Sequence, residues 1–126
     1  MNPDLSEATG VALYKGDVFV FHPVKGIMKF VSQSKLNIII EQDVEWGNIA
    51  DMELYSGNIY LLDSENNQIY KYLVTEGGYS NKRPYLTSSK DLSDVTGMII
   101  DSAIYVSHKG SISKFVSGVP ESFSPQ

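Results

Sequence analysis

The chain has no cysteine, one tryptophan and two histidines in 126 residues. Without thiols it forms no disulfide, holds no metal through thiolate and offers no cysteine nucleophile. Neither histidine accompanies a Gly-x-Ser-x-Gly elbow, so no serine–histidine triad can be built. Gly77-Gly78 is not followed by a helix, which leaves no Gly-rich phosphate loop. Basic residues are few and scattered, ten against fifteen acids, for a formal net charge of -5. A surface of that sign repels phosphate backbones and anionic lipid, so no nucleic acid is expected as a partner. Long apolar runs are missing too. The longest are about four residues, against the roughly 20 that span a bilayer. The start, Met1-Asn-Pro-Asp-Leu5, lacks the basic region and apolar core of a signal peptide. The segment reads as soluble, with no direct membrane insertion of its own and its compartment left open.

What the chain does have is repetition. Leu5-Ser-Glu-Ala-Thr-Gly-Val11 returns as Leu92-Ser-Asp-Val-Thr-Gly-Met98, and a looser copy runs from Trp46 through Gly-Asn-Ile-Ala-Asp to Met52. Val18-Phe-Val-Phe-His22, Ile59-Tyr-Leu-Leu-Asp63 and Ile104-Tyr-Val-Ser-His108 align behind them. So do Ile27-Met-Lys-Phe30, Ile69-Tyr-Lys-Tyr72 and Ile112-Ser-Lys-Phe115. The starts are 41 and 46 residues apart. Short strands repeated at that period indicate blades of a β-propeller. The expected architecture is all-β, a partial propeller of three four-stranded antiparallel blades, at about 5–45, 46–91 and 92–126.

Within the first copy the pattern predicts strands at 11–14, 18–21, 27–31 and 37–41. The second gives 52–55, 59–62 and 69–73, then a long loop over 75–81 and a last strand at 84–87. The third gives 98–100, 104–107 and 112–116, with a weak strand near 122–124. Gly16-Asp17 and Gly57-Asn58 are pairs that tolerate the positive φ of tight hairpins, and Asp101-Ser102 makes a shorter connection. Val18-Phe-Val-Phe21 and Ile59-Tyr-Leu-Leu62 are apolar at every position. A sheet with one wet face alternates, so these strands expect cover on both faces. Three blades do not close a ring, since propellers have about four to eight. The end blades would therefore expose apolar faces, to be met by the rest of a parent propeller or by a second copy of the chain.

The stretch Gly57-Asn-Ile-Tyr-Leu-Leu-Asp-Ser-Glu-Asn-Asn-Gln-Ile-Tyr-Lys-Tyr72 resembles an NHL-type propeller repeat. Ile59, Tyr60, Asp63, Asn66, Asn67 and Ile69 fit its pattern, and Gln68 stands where an Arg is usual. Together with Asp51-Met52, Tyr70-Lys-Tyr72 and Thr75-Glu-Gly-Gly78, it is similar to the C-terminal propeller of uncharacterised bacterial membrane-attached proteins that often carry a PPM-type phosphatase domain. The resemblance implies a sensory or interaction propeller on a longer, membrane-attached parent chain. It does not imply phosphatase chemistry, which needs an aspartate-rich two-metal site with no counterpart here.

His22, Asp63 and His108 are equivalent, each opening the turn after the second strand of its copy. They are candidate ligand-binding residues on one propeller face, or each bonds nearby backbone and shapes its turn. Sheets stack about 10 Å apart, whereas zinc ligands lie near 2 Å from one ion, which disfavours a shared metal. Asp63-Ser-Glu-Asn-Asn67 lacks the glycine and distal glutamate of an EF-hand. Lys29, Lys71 and Lys114 recur in the third strands, as a basic stripe or as stems laid over apolar neighbours. Glu7, Asp51 and Asp94 either line one ring face or satisfy backbone donors at blade junctions. Trp46, standing where Leu5 and Leu92 stand, is expected in the core or at a junction. Tyr79 and Tyr85 flank the longest loop and are the aromatic candidates for ligand contact.

These residues support a non-catalytic binding or scaffolding module that takes an unknown protein or small ligand through its loops. No catalytic residue, metal or cofactor is assigned. The alternative is part of a propeller hydrolase or lyase with a metal in the central channel, which requires His or carboxylates converging on the ring axis.

Overall fold

The computed structural model describes residues 10–32, 35–87 and 90–121. Three four-stranded antiparallel sheets follow one another along the chain. The first contains β1 (Gly10–Tyr14), β2 (Asp17–His22), β3 (Gly26–Ser32) and β4 (Lys35–Glu41), ordered 1-2-3-4. The second contains β5 (Ile49–Tyr55), β6 (Asn58–Asp63) and β7 (Gln68–Tyr72). A two-stranded hairpin interrupts it, β8 (Val74–Thr75) with β9 (Gly78–Tyr79), before β10 (Arg83–Pro84) completes it beside β7. The third contains β11 (Val95–Asp101), β12 (Ala103–His108), β13 (Ser111–Val116) and β14 (Val119–Glu121). Among the described residues no helix is long and apolar enough to cross a membrane.

Why these strands turn where they do is local chemistry. Tyr14 pairs with Asp17 and Tyr55 with Asn58, so the loops are Lys15-Gly16 and Ser56-Gly57. All four residues have positive φ, between 51° and 85°, the backbone of a two-residue primed hairpin. The turns thus sit one residue earlier than the Gly-Asp and Gly-Asn pairs expected. Ser102 alone, at φ 57°, connects β11 to β12.

The second sheet departs most from expectation. Part of the loop expected over 75–81 is the β8–β9 hairpin, in which Thr75 pairs with Gly78 around Glu76-Gly77. The strand expected at 84–87 is shorter and earlier. Gln68 explains its end: the side-chain carbonyl accepts the Leu86 N–H at 2.8 Å, replacing the ladder bond that a longer strand would make. Pro84, which has no N–H to give, is tolerated on this outermost strand. The strand expected near 122–124 lies outside the described residues, as does Leu5.

The sheets stack face to face through two cores. Ile59 and Leu61 of β6 point into the first, with Ala12, Phe19, Phe21 and Ile27 of the first sheet. Tyr60 and Leu62, the alternate residues of the same strand, point into the second, with Met98, Ile104, Val106 and Phe115. The inner strands β1, β5 and β11 lie side by side. Trp46 marks the first junction, its ring 5.1 Å from Phe21 and its indole N–H donating to the Tyr72 hydroxyl at 3.0 Å. Leu92, at the equivalent position, is fully buried in the second core.

The outer faces of the end sheets are only partly covered by contrast: Val20 and Met28 on the first are buried, but their neighbours on that face are not. Val11 and Leu13 flank the buried Ala12 on β1 and are 65% and 72% exposed. Ile99 on β11 is 69% exposed. The twofold cover of β6 sets the first expected outcome. Leu61→Ala should lower unfolding free energy by about 2–5 kcal/mol in urea titration. Val24→Ala, in an exposed turn, should stay within about 0.5 kcal/mol. Equal losses would refute the double-sided core.

Candidate functional site

Asp63 ends β6 with a fully buried carboxylate. Six donors reach it. The backbone N–H groups of Glu65 and Asn66 close its own turn at 3.0 Å each. Those of Gly47 and Asn48, on the connection from the first sheet, come in at 2.8 and 3.2 Å. The Asn66 amide and the Tyr70 hydroxyl complete the set at 2.9 and 2.8 Å. Burial pushes this carboxyl's pKa up, but the hydrogen bonds from Gly47, Asn66 and Tyr70 outweigh it and hold it below the ordinary carboxylate range. The residue ties its turn to the incoming connection and has no lone pair to spare.

The two histidines do similar work with different atoms. His22 is buried, and its Nδ1 accepts the N–H groups of Val24 and Lys25, both at 3.1 Å. His108 places Nδ1 2.7 Å from Asp94 and Nε2 2.8 Å from the Ser113 hydroxyl. In the second and third sheets, therefore, this position anchors the entry of the innermost strand. The partner is backbone in one sheet and the Asp94 side chain in the other. Among the described residues no three His, Cys, Asp or Glu side chains gather as a metal site.

Tyr79 and Tyr85 lie in separate clefts. Tyr79, on β9, packs against the first core and lines a cleft of about 330 Å³ with Ile40, Tyr72 and Lys82. Tyr85 lines one of about 190 Å³ between the second and third sheets. The five candidates of the sequence therefore do not meet in one site. The recurring lysines sit on aromatic rings. Lys29, Lys71 and Lys114 lie directly opposite Phe19, Tyr60 and Tyr105 in the ladders, with Nζ 5.5–5.9 Å from the ring centroids.

Two groups were missed from sequence. Lys82 bridges Asp43 at 3.0 Å and Glu45 at 2.7 Å, and sits 4.7 Å over the Tyr70 ring. Burial alone would lower its pKa, but those carboxylates raise it overall. Nothing in its spacing announced this, because its partners are 37 and 39 residues away in the chain. The second is Glu53 on β5, beside Asp51, which satisfies a backbone donor at the sheet junction, one of the two roles open to it in the sequence. Asp51 accepts the N–H of Met52 and, across the sheet junction, that of Met98, at 2.8 and 2.9 Å. Glu53 hydrogen-bonds Asp51, and its pKa is pushed up to about 7 by burial first and by the Asp51 charge second. Their i, i+2 spacing on a strand was the available signal. The strand starts at Ile49, three residues before the expected 52, and so takes in Asp51.

No family model matches this chain, and no curated protein matches its sequence. Solved structures do match. A streptogramin B lyase structure superposes with a TM-score of 0.65 at 16% identity, over 88% of this chain and 38% of the lyase. Virginiamycin B lyase from Staphylococcus aureus gives 0.61 at 16% identity, with the same coverage. A catalytically inactive variant of that lyase with quinupristin gives 0.55 at 14% identity, over 99% of this chain and 58% of the other. The chain thus spans between 38% and 58% of the length of these lyases. At such identity the likeness establishes the fold: four-stranded antiparallel sheets forming part of a β-propeller.

Two outcomes follow. Asp63→Ala strands several buried donors, so it should cost about 2–5 kcal/mol by denaturant titration. A loss under about 0.5 kcal/mol would refute the latch. Folded Glu53 keeps a proton that the unfolded chain releases near pH 4.5. Stability should therefore fall as pH rises from about 4.5 to about 7. Glu53→Gln should flatten that slope, and an unchanged slope would exclude Glu53 as its source.

Proposed function

We propose that this chain is a non-catalytic binding or scaffolding propeller module whose immediate partner is more propeller. The observation that carries the reading is the contrast between the middle sheet, covered on both faces, and the outer sheets, where Val11, Leu13 and Ile99 face solvent. Large apolar side chains exposed on the outer faces of both end sheets fit surfaces that a partner covers. The coverage of 38% of the lyases' length fits an arc that further blades extend. Those blades come from the rest of a parent propeller, with a second copy of the chain as the other source. The likeness of 57–72 to an NHL-type repeat supports an interaction role. Its likeness to C-terminal propellers of membrane-attached bacterial proteins supports a longer, anchored parent.

The hydrolase or lyase reading has less support in the side chains. Asp51 on the inner strand already accepts two backbone N–H groups and bonds Glu53, which leaves little capacity to ligate an ion. Fold likeness alone does not carry activity.

Sedimentation of the isolated chain tests the reading. The wild type should self-associate with rising concentration. Leu13→Asp, at an exposed position, should keep the β-sheet circular dichroism and shift the chain towards monomer. A wild type that stays monomeric over about a hundredfold concentration range, well into the micromolar affinities of weak complexes, would overturn it.

A further inference from the structure

The three lysine–aromatic pairs are equivalent in sequence, yet their electrostatic surroundings differ. Lys29 has Asp17 at 3.4 Å, and Lys114 has Glu121 at 3.9 Å. Lys71, in the middle sheet, has no carboxylate partner among the described residues. Two substitutions remove it. Asn58 stands where Asp17 stands in the first copy, and its side-chain oxygen is taken by the Val74 N–H at 3.0 Å. Arg83 stands where Glu121 stands in the third. It pairs with Lys71 across the β7–β10 ladder, as Glu121 pairs with Lys114. Directly opposed residues share a sheet face, with Cβ atoms about 5 Å apart, and like charges there are destabilising. This chain has one arginine and a net charge of -5. It nevertheless sets that arginine against a lysine, with no acid between them.

Lys71 borders a cleft. It lines the cavity of about 190 Å³ between the second and third sheets, with Tyr55, Tyr60, Tyr85, Ser102 and Ser117. No carboxylate lines that cavity. Tyr60 and Tyr85 stand edge to face, their centroids 6.2 Å apart, and present ring surface beside the cation. The two serine hydroxyls have no hydrogen-bond partner among the described residues. Gly118 holds the far wall close: a Cβ there would collide with the Tyr85 carbonyl oxygen, and its own carbonyl accepts the Thr87 N–H at 3.0 Å. The cleft between the first and second sheets differs in charge, since Glu41 and Asp43 line it beside Lys82. There the β8–β9 hairpin brings Tyr79 onto the core and Val74 against Gly57.

We propose that the cleft between the second and third sheets binds a small organic anion. Lys71 takes its carboxylate or phosphate, Arg83 adds a second positive charge from the neighbouring edge strand, and Tyr60 and Tyr85 take its flat apolar body. A cleft of this volume is below the usual 300–1,000 Å³ of drug-sized sites, which limits the buried part to about one aromatic ring with its acidic group. The proposal goes beyond the assembly reading and does not depend on it, since the cleft is formed within one chain.

Amide NMR titration tests it with three probes: benzoate, phenyl phosphate and inorganic phosphate. Benzoate or phenyl phosphate should shift the amides of Lys71, Tyr85, Ser102 and Ser117 saturably, with millimolar affinity or better. A preference between the two identifies the acidic group. Weaker binding of inorganic phosphate than of phenyl phosphate assigns the ring to the tyrosines. Lys71→Met and Arg83→Met should each weaken binding about tenfold, equivalent to about 1.4 kcal/mol. Lys29→Met makes the same charge change away from the cleft and should leave binding unaltered. Arg83 is exposed on the edge strand, so its variant keeps the test decisive if Lys71→Met fails to fold. No saturable shift with any probe, or an equal loss in Lys29→Met, overturns the proposal.

Discussion

Covering both faces of the second sheet is the constraint on which the rest of the molecule depends. A strand such as β6, apolar at every residue from Ile59 to Leu62, cannot lie at a sheet surface without exposing half its side chains. Stacking between neighbours removes that cost, and it forces the inner strands β1, β5 and β11 together at the junctions. The polar groups at those junctions then need partners. Asp51 meets the Met98 N–H, and Asp63 gathers Gly47 and Asn48. The hydrogen bonds therefore follow from the stacking. They also set the spacing at which each sheet enters.

Repetition of the fold has not meant repetition of the chemistry. One turn position carries His22, Asp63 and His108, and each solves its local problem with a different acceptor or donor set. The lysines of the third strands keep their aromatic neighbours throughout but change their ionic ones. Such drift at equivalent places is informative, because the backbone is held constant and only the side-chain environment varies. The unpaired cations of the middle sheet stand out against their own repeats.

The likeness to the streptogramin B and virginiamycin B lyases belongs to the backbone. Residues that hold a blade together are engaged inward here: Asp63 and His22 chiefly by main chain, and His108 by the Asp94 and Ser113 side chains. This is the usual division in a repeat fold: turn residues with oxygen or imidazole acceptors stabilise turns, and clefts between blades are left for binding. Lys82, wedged between Asp43 and Glu45 over Tyr70, is also spent on structure, as the donor of its cluster. Lys71 borders a cleft.

Sequence alone determined the all-β class, the repeat period and the sandwiched second strand, because these depend on composition and local periodicity. Most strands lay within a residue or two of their expected places for the same reason. The β8–β9 hairpin and the short β10 are not legible there, since a Gly-Gly pair reads as loop and the reach of the Gln68 side chain cannot be seen in a string of letters. Tertiary structure decided which side chains share a site. It separated Tyr79 from Tyr85, buried Asp63 under six donors, and set Lys71 beside Arg83 without an acid. Those outcomes depend on distances between residues far apart in the chain, and only stacking brings such residues together.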